Sequence, residues 1–280
     1  MKWKTHLLIG KYTFVCVSAS RHVPESAFSS FREGLLRPDK IRAEAGGLDR
    51  SKHHLQDPGS LMPLIWTVRA KWASGDVDAA MFELGIVLHY VHDSMAGRGF
   101  RDPHHFEIEN DLLGESVPIE VIKSGVNAAI SSPKHVRYVL THIPPKDDPK
   151  EIMRDAAWFS GIIAGAVLDT RVPMRLIEEY SQARREHEES KSRKQRRAVG
   201  FISLASLVGG GATVTLPSMW PPIFLCVSVF SCIALAWATL SSDPRYEELS
   251  EEMSWWSGMQ ALRTLRGLMQ TNWPSASQIP

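Results

Sequence analysis

The sequence has little cysteine and almost no net charge, and each shortage argues against a class of protein. Only 3 of its 280 residues are cysteine, and none forms a CxxC pair, which argues against a disulfide framework. The 32 Lys and Arg against 31 Asp and Glu leave a formal charge of +1. The whole chain therefore has no field that would attract a polyanion, and we expect no nucleic-acid partner.

Common catalytic signatures and strand-like alternation are also missing. The chain contains no Walker A, GxSxG, HExxH or GxGxxG pattern, so nucleotide-binding and serine-hydrolase classes have no support. Apolar residues instead recur at helical spacing in VDAAMFELGIVLHYV, IEVIKSGVNAAI and AAWFSGIIAGAVL. The sequence predicts a mainly α protein with a multi-helix domain over residues 1–180.

The C-terminal third has a different composition. Residues 181–197 are almost entirely polar and predict a charged linker or a solvated helix extension. Two uncharged runs, 198–216 and 223–240, flank the Pro-rich turn PSMWPP. Their length and uniform apolarity predict a transmembrane hairpin over 198–241, and the alternative is a buried helical pair in a soluble protein.

The basic residues predict the orientation of this hairpin. The segment KSRKQRR precedes the first run, the turn has no Lys or Arg, and Arg245 follows the second run. The positive-inside rule then predicts a two-pass protein of the cell membrane. The N-terminal domain and an amphipathic tail helix within 242–280 both lie in the cytoplasm. A weak signal peptide over Leu7–Ala19 is the alternative, and its cleavage would remove His6.

Histidine is concentrated in one part of the chain. In LGIVLHYVHDSMAG, His89 and Asp93 are spaced i, i+4 and share a helical face, with His92 beside them. An unpaired charge on so apolar a helix is costly. The segment alone fits either a buried His–Asp pair or two metal ligands.

Further histidines and acids complete a pattern typical of a polynuclear metal site. His6 lies near the start, Asp39 precedes His53 by fourteen residues, and HHFEIEND carries a second i, i+4 pair, His105 and Glu109. Imidazole and carboxylate ligands suit zinc, and a carboxylate can bridge two ions.

The order His, Asp-x13-His, HYxxD and His-x3-Glu resembles the zinc-dependent phospholipase C and S1/P1 nuclease superfamily. The resemblance covers roughly residues 3–110 and is most specific in LGIVLHYVHD. It implies a mainly α domain that binds a zinc cluster and hydrolyses phosphodiesters. It also aligns Trp3 with a tryptophan at the family's processed N-terminus, whose free amine and carbonyl bind zinc, although Met1 and Lys2 precede Trp3 here.

The resemblance implies a set of metal ligands for this chain. One ion is held by Asp39, His53, His89 and Asp93; Asp93 bridges to a second ion bound by His6; and His105 with Glu109 binds a third. The family's further histidine after HYxxD is missing, so His54, His92 or His104 is a substitute ligand, or the site holds two zinc ions rather than three.

The resemblance also implies the chemistry. Asp39 is the candidate catalytic residue that orients or deprotonates the attacking water. A phospholipid or another phosphoester is the expected substrate, because the domain is expected to be anchored at a membrane.

Two other functions remain open from the sequence. The segment VHD matches an HD-type metal phosphohydrolase, in which His92 and Asp93 are adjacent ligands and His53 or His54 lies upstream. The missing family ligands instead favour a non-catalytic, membrane-anchored protein with a degenerate metal site.

Overall fold

The computed structural model describes residues 1–44, 58–95, 104–215 and 243–258, and these residues form helices and no strand. The α-helices are α1 (Trp3–Arg21), α2 (Phe28–Glu44), α3 (Met62–Ala73), α4 (Val77–Met95), α5 (His104–Asp111), α6 (Ile119–Ala128), α7 (Pro133–Thr141), α8 (Pro149–Val167), α9 (Met174–Thr215) and α10 (Pro244–Ser257). Short 3-10 turns cover Glu25–Ala27 and Pro58–Leu61. The expectation of a mainly α protein is confirmed.

The chain divides into two compact units, at different boundaries from those expected. The first unit is Met1–Val172 together with the chain from Ser254, and the second is Pro173–Met253. The expected domain end at 180 and linker end at 197 both fall inside α9. Of the two interpretations of residues 181–197, the solvated helix extension is the one the structure has, because charged residues without an apolar face can still continue a helix.

Helices α2 and α4 pack with their backbones in close contact, and this contact positions the candidate site. A Cβ atom at Gly34 would collide with the backbone oxygen of Phe82, and one at Gly85 with the backbone oxygen of Phe31. Only glycine permits this approach at both points. Close to these points, Leu35 on α2 faces His89 in the histidine-bearing half of α4.

Helix α1 is a core element of the first unit. Its buried residues include His6, Ile9, Phe14 and Val17, and the helix contacts α2, α6 and α8. The apolar run that suggested a weak signal peptide thus forms a packed helix in this structure. Its burial also places His6 inside the domain.

The segment from Ser254 is attached to the first unit by two buried side chains, Arg69 and Trp255. Arg69 on α3 donates from Nε to the carbonyl of Trp255 (2.6 Å) and from Nη1 to the carbonyl of Val167 (2.8 Å). The Trp255 indole is fully buried, lies edge-on to Trp66 with ring centroids 5.2 Å apart, and donates from Nε1 to Ser131 Oγ (2.9 Å). These contacts form what we call the Trp255 dock.

In the second unit, α9 and the start of α10 lie side by side. The Tyr246 ring stacks on the His187 ring with centroids 4.3 Å apart, and Arg245 Nη1 is 3.7 Å from Glu186 Oε2. No helix in the described part of the chain is long and apolar enough to cross a membrane. The predicted span 223–240 lies outside the described residues, so the transmembrane hairpin stays a prediction.

Candidate metal centre

The centre is built around His89 and Asp93 on α4, which lie on one helical face. His89 Nε2 is 3.3 Å from Asp93 Oδ2. The other ring nitrogen, Nδ1, is 2.9 Å from the carbonyl of Leu35 on α2 and therefore carries the proton that it donates there. Metal-binding histidines usually donate their second nitrogen in this way, which leaves the first nitrogen with a lone pair for the metal.

Helices α1 and α2 bring two more candidate ligands to this face. The ligand atoms of His6, Asp39 and His89 all lie within 4.8 Å of one another. The His6 ring stacks on His89 with centroids 4.1 Å apart. His6 and His89 are fully buried, whereas Asp39 is half-buried. Residues from α1, α2 and α4 thus converge on one point.

The second oxygen of Asp93 faces a different set of groups. Asp93 Oδ1 is 2.6 Å from the α-nitrogen of Met1 and 3.2 Å from His6 Nε2. His6 Nε2 is also 3.2 Å from the carbonyl oxygen of Met1, and the Met1 α-nitrogen is 3.2 Å from Glu109 Oε1 on α5. Asp93 therefore divides its two oxygens between His89 on one side and Met1 with His6 on the other.

Most of these distances match the spacing between ligands around zinc. Four ligands at about 2.0–2.1 Å from a tetrahedral zinc ion are about 3.3 Å from one another. The 3.2 Å contacts of His6 and Glu109 and the 3.3 Å contact of His89 are close to that spacing. The 2.6 Å contact between Met1 and Asp93 is instead the length of a charge-assisted hydrogen bond.

The electrostatics of the cluster keep Asp93 and His6 in the forms that bind metal. Burial alone would raise the pKa of Asp93, but the Met1 ammonium and the neighbouring His89 and His6 outweigh it and hold the pKa well below 3.8. Burial and the neighbouring His89 lower the pKa of His6 to about 3. At neutral pH Asp93 is therefore ionised and His6 is neutral, as metal coordination requires.

The Met1 α-amine has the opposite shift. Burial lowers its pKa, but the carboxylates of Asp93 and Glu109 together outweigh burial and raise it above 8.0. A protonated amine is not a ligand, so a cation that binds between these groups must displace this proton.

The structure brings five of the seven predicted ligands together: His6, Asp39, His89, Asp93 and Glu109. His53 and the possible substitute His54 lie outside the described residues, and the side chains of His104 and His105 lie outside the described part of α5. The assignment of His53 and His105 as ligands therefore stays a prediction.

The position expected for Trp3 is occupied by Met1. Trp3 is 51% exposed, whereas the α-nitrogen and carbonyl of Met1 enter the cluster. These are backbone groups, so no side-chain pattern predicts them. The available signal is positional: Met1 lies two residues before a helix whose first turns carry a buried histidine.

His92 faces away from the His89 and Asp39 side of the centre. Its Nδ1 is 3.2 Å from His6 Nδ1, and its Nε2 is 2.7 Å from Ser160 Oγ on α8. Both ring nitrogens are thus occupied by protein groups, so this geometry does not support His92 and Asp93 as adjacent ligands of an HD-type site. Ser160 was not singled out by the sequence, although it is an isolated polar residue within the apolar run AAWFSGIIAGAV.

Comparisons of the chain with models of protein families, with curated proteins and with solved structures find no match.

Proposed function

We propose that this protein is a membrane-anchored, zinc-dependent phosphodiester hydrolase resembling phospholipase C. The observation that supports the proposal most is the division of Asp93 between two sets of ligand atoms, His89 on one side and Met1 with His6 on the other. A carboxylate placed in this way is suited to bridge two metal ions.

The residues present fit zinc. Asp39, His89 and Asp93 Oδ2 would hold one ion, with His53 as a further expected ligand. Met1, His6, Asp93 Oδ1 and Glu109 would hold a second, and a third would need His105. Clustered zinc lowers the pKa of bound water and offsets the charge that develops on phosphate oxygens.

The protein's own groups contribute orientation and proton handling. The hydrogen bond from His89 Nδ1 to the carbonyl of Leu35 holds the imidazole in the tautomer that leaves Nε2 for a metal. Asp39 and Glu109 are the half-buried carboxylates of the cluster. Glu109 faces the Met1 α-nitrogen, whereas Asp39 lies beside His6 and His89. We assign to Asp39 the role of accepting a proton from the attacking water.

The proposed location at the membrane rests on the hairpin and on how the chain returns from it. Tyr246, which follows the predicted hairpin in sequence, stacks on His187, which precedes it. The Trp255 dock then joins the returning chain to the first unit. If residues 198–240 cross a bilayer, they cross an even number of times. The domain and the start of the tail then lie on one side, which we propose is the cytoplasm, with a phospholipid or other phosphoester as substrate.

One observation favours a second candidate function. His6 and His89 have no exposed surface, and Asp93 is only 5% exposed. Metal ions held by such residues contribute to folding even without catalysis. The second candidate is therefore a non-catalytic, membrane-anchored protein with a structural zinc site.

Metal analysis and a phosphodiester assay separate the two candidates. The full chain, purified in detergent, is loaded with zinc, dialysed and analysed for metal. Hydrolysis of bis(p-nitrophenyl) phosphate is then measured with and without a chelator. The hydrolase proposal expects two or three zinc ions per chain and hydrolysis that the chelator abolishes.

His89→Ala and His142→Ala form a matched pair for this test. His142 is exposed at the end of α7, and its Nδ1 bonds to the carbonyl of Tyr138, so His142→Ala removes an imidazole outside the centre. His89→Ala should lose most zinc and nearly all hydrolysis, and His142→Ala should lose neither. Bound zinc without hydrolysis would favour the structural site, and no bound zinc would refute both candidates.

A further inference from the structure

Three buried side chains form a continuous row that leads away from the metal centre. His6 Nε2 faces Asp93 Oδ1 and the carbonyl of Met1, each at 3.2 Å. His6 Nδ1 faces His92 Nδ1 at 3.2 Å, and His92 Nε2 faces Ser160 Oγ at 2.7 Å. His6, His92 and Ser160 all have no exposed surface. We call this row the His6–His92–Ser160 relay.

The positions of the protons along the relay follow from the groups at its first end. Both groups that face His6 Nε2 are acceptors, so without metal this nitrogen carries the proton of the neutral ring. His6 Nδ1 is then bare and must accept from His92 Nδ1–H. His92 Nε2 is bare in turn and accepts from the hydroxyl of Ser160. Each of the three contacts along the relay then contains one hydrogen-bonding proton, and each imidazole ring carries one proton.

A metal at His6 Nε2 reverses this arrangement. His6 then carries its proton on Nδ1 and donates it to His92 Nδ1, which leaves the His92 proton on Nε2. The Ser160 oxygen accepts this proton, and its own hydroxyl hydrogen turns to a carbonyl of the preceding turn of α8. In this change the His6 Nε2 proton leaves to water, the His92 Nδ1 proton passes to His6 Nδ1, and water supplies one proton to His92 Nε2 during a local opening. Each ring therefore ends with one proton, and the two rings together neither gain nor lose one.

We propose that His92 and Ser160 are positioning residues for the metal centre: they supply a hydrogen-bond partner to His6 Nδ1 in either tautomer, His92 by exchanging its own tautomer and Ser160 by turning its hydroxyl when metal binds. The metal-free half of this proposal rests on geometry alone, whereas the metal-bound half rests on the proposed zinc site. A serine hydroxyl suits the end of the relay because it both donates and accepts.

Nitrogen-15 NMR of histidine-labelled full chain tests both halves, because the two ring nitrogens have different shifts when protonated and bare. In a chelator we expect His6 to be protonated on Nε2 and His92 on Nδ1. With zinc we expect His6 on Nδ1 and His92 on Nε2. Resonances are assigned with His6→Gln and His92→Asn. A metal-free protein with His92 protonated on Nε2 would overturn the proposal.

Zinc titration of two variants shows whether the relay acts on the metal rather than only on packing. Ser160→Ala removes the end of the relay. Thr13→Val removes another fully buried hydroxyl, which bonds to the carbonyl of Ile9 within α1 and is not part of the relay. Loss of a partner behind a metal ligand typically weakens binding 10- to 100-fold, so we expect at least a 10-fold loss for Ser160→Ala and none for Thr13→Val.

The conservative variant His92→Asn provides the rescue. Its side-chain carbonyl can accept the proton of His6 Nδ1, so it should bind zinc more tightly than His92→Leu, which cannot. Equal affinity in these two variants, or wild-type affinity in Ser160→Ala, would contradict the relay. A wild-type chain that binds no zinc would refute the proposed function and the metal-bound half, while the metal-free NMR result would still decide the other half.

Discussion

Replacement of Trp255 by alanine should destabilise the first unit strongly, although Trp255 lies more than 80 residues after the last helix of the N-terminal part. The indole is fully buried against Trp66 and donates to Ser131 Oγ. Removing a buried tryptophan side chain typically costs about 3–5 kcal/mol of unfolding free energy. For a unit of this size, each kcal/mol lowers Tm by about 2–4 °C, so we expect Tm to fall by roughly 10 °C.

Trp256→Ala is the matched control, because Trp256 is the adjacent residue and is only partly buried. Its ring lies 5.0 Å from the Arg69 guanidinium carbon, and loss of such a contact costs about 1 kcal/mol. Unfolding of the full chain in detergent is followed by near-ultraviolet circular dichroism in urea and on heating. Equal effects of the two substitutions, or no effect of Trp255→Ala, would refute the Trp255 dock as a stabilising contact.

Four further changes test other parts of the structure. Asp93→Asn should lose both the zinc ion at His89 and the zinc ion at Met1, and Glu109→Gln should lose only the ion at Met1, as measured by metal analysis. Equal zinc losses in the two variants would contradict the assignment of the two Asp93 oxygens to different ions. Two glycines added before Met1 convert its α-amine to an amide. The protein should then lose the zinc ion bound at Met1 and keep the zinc ion bound at His89. Gly85→Ala should lower the unfolding free energy by about 1–3 kcal/mol, because the added methyl collides with the Phe31 oxygen, whereas Gly200→Ala, at an open position of α9, should not. In chelator, the unfolding free energy should decrease from pH 6.5 towards pH 3 by about 1.4 kcal/mol per pH unit for each buried neutral histidine. The reason is that His6 takes up a proton below pH 6.5 in the unfolded chain but only at about pH 3 in the folded chain. Urea midpoints that do not change with pH would contradict the burial of His6 and His92 as neutral rings.

The helices were predictable wherever an apolar face repeats at helical spacing, as in α4 and α8. The boundary between the units was not, because the polar composition after 180 fits a linker and a helix extension equally well. The structure has the extension, with i, i+4 ion pairs such as Arg184 with Glu188. The Trp255 dock was also beyond prediction. A tryptophan in an amphipathic segment fits a lipid surface as well as a protein core, and only the tertiary structure shows that Arg69 and Trp66 receive it.

The sequence indicated several of the side chains that meet in the candidate site, but neither its main-chain groups nor Ser160. The spacing of His89 and Asp93 places them on one face whatever the fold, and the resemblance led to His6 and Asp39, which α1 and α2 bring to that face. Met1 contributes only main-chain atoms. Ser160 contributes a hydroxyl whose partner, His92, is 68 residues away in sequence. Neither has a sequence pattern of its own, so their roles depend on the packing of α1 and α8 against α4.

The Trp255 dock has a consequence for how the protein is made. The ribosome synthesises residues 1–172 of the first unit before the 81 residues of the second unit and only then reaches Trp255. At about 5–20 residues per second, the interval is roughly 4–16 s. During that time Trp66 and the Arg69 guanidinium, which the finished protein buries, lack the contacts that they make with Trp255. A chaperone that binds apolar surfaces has this interval in which to hold the unfinished domain, and the arrival of Trp255 ends it.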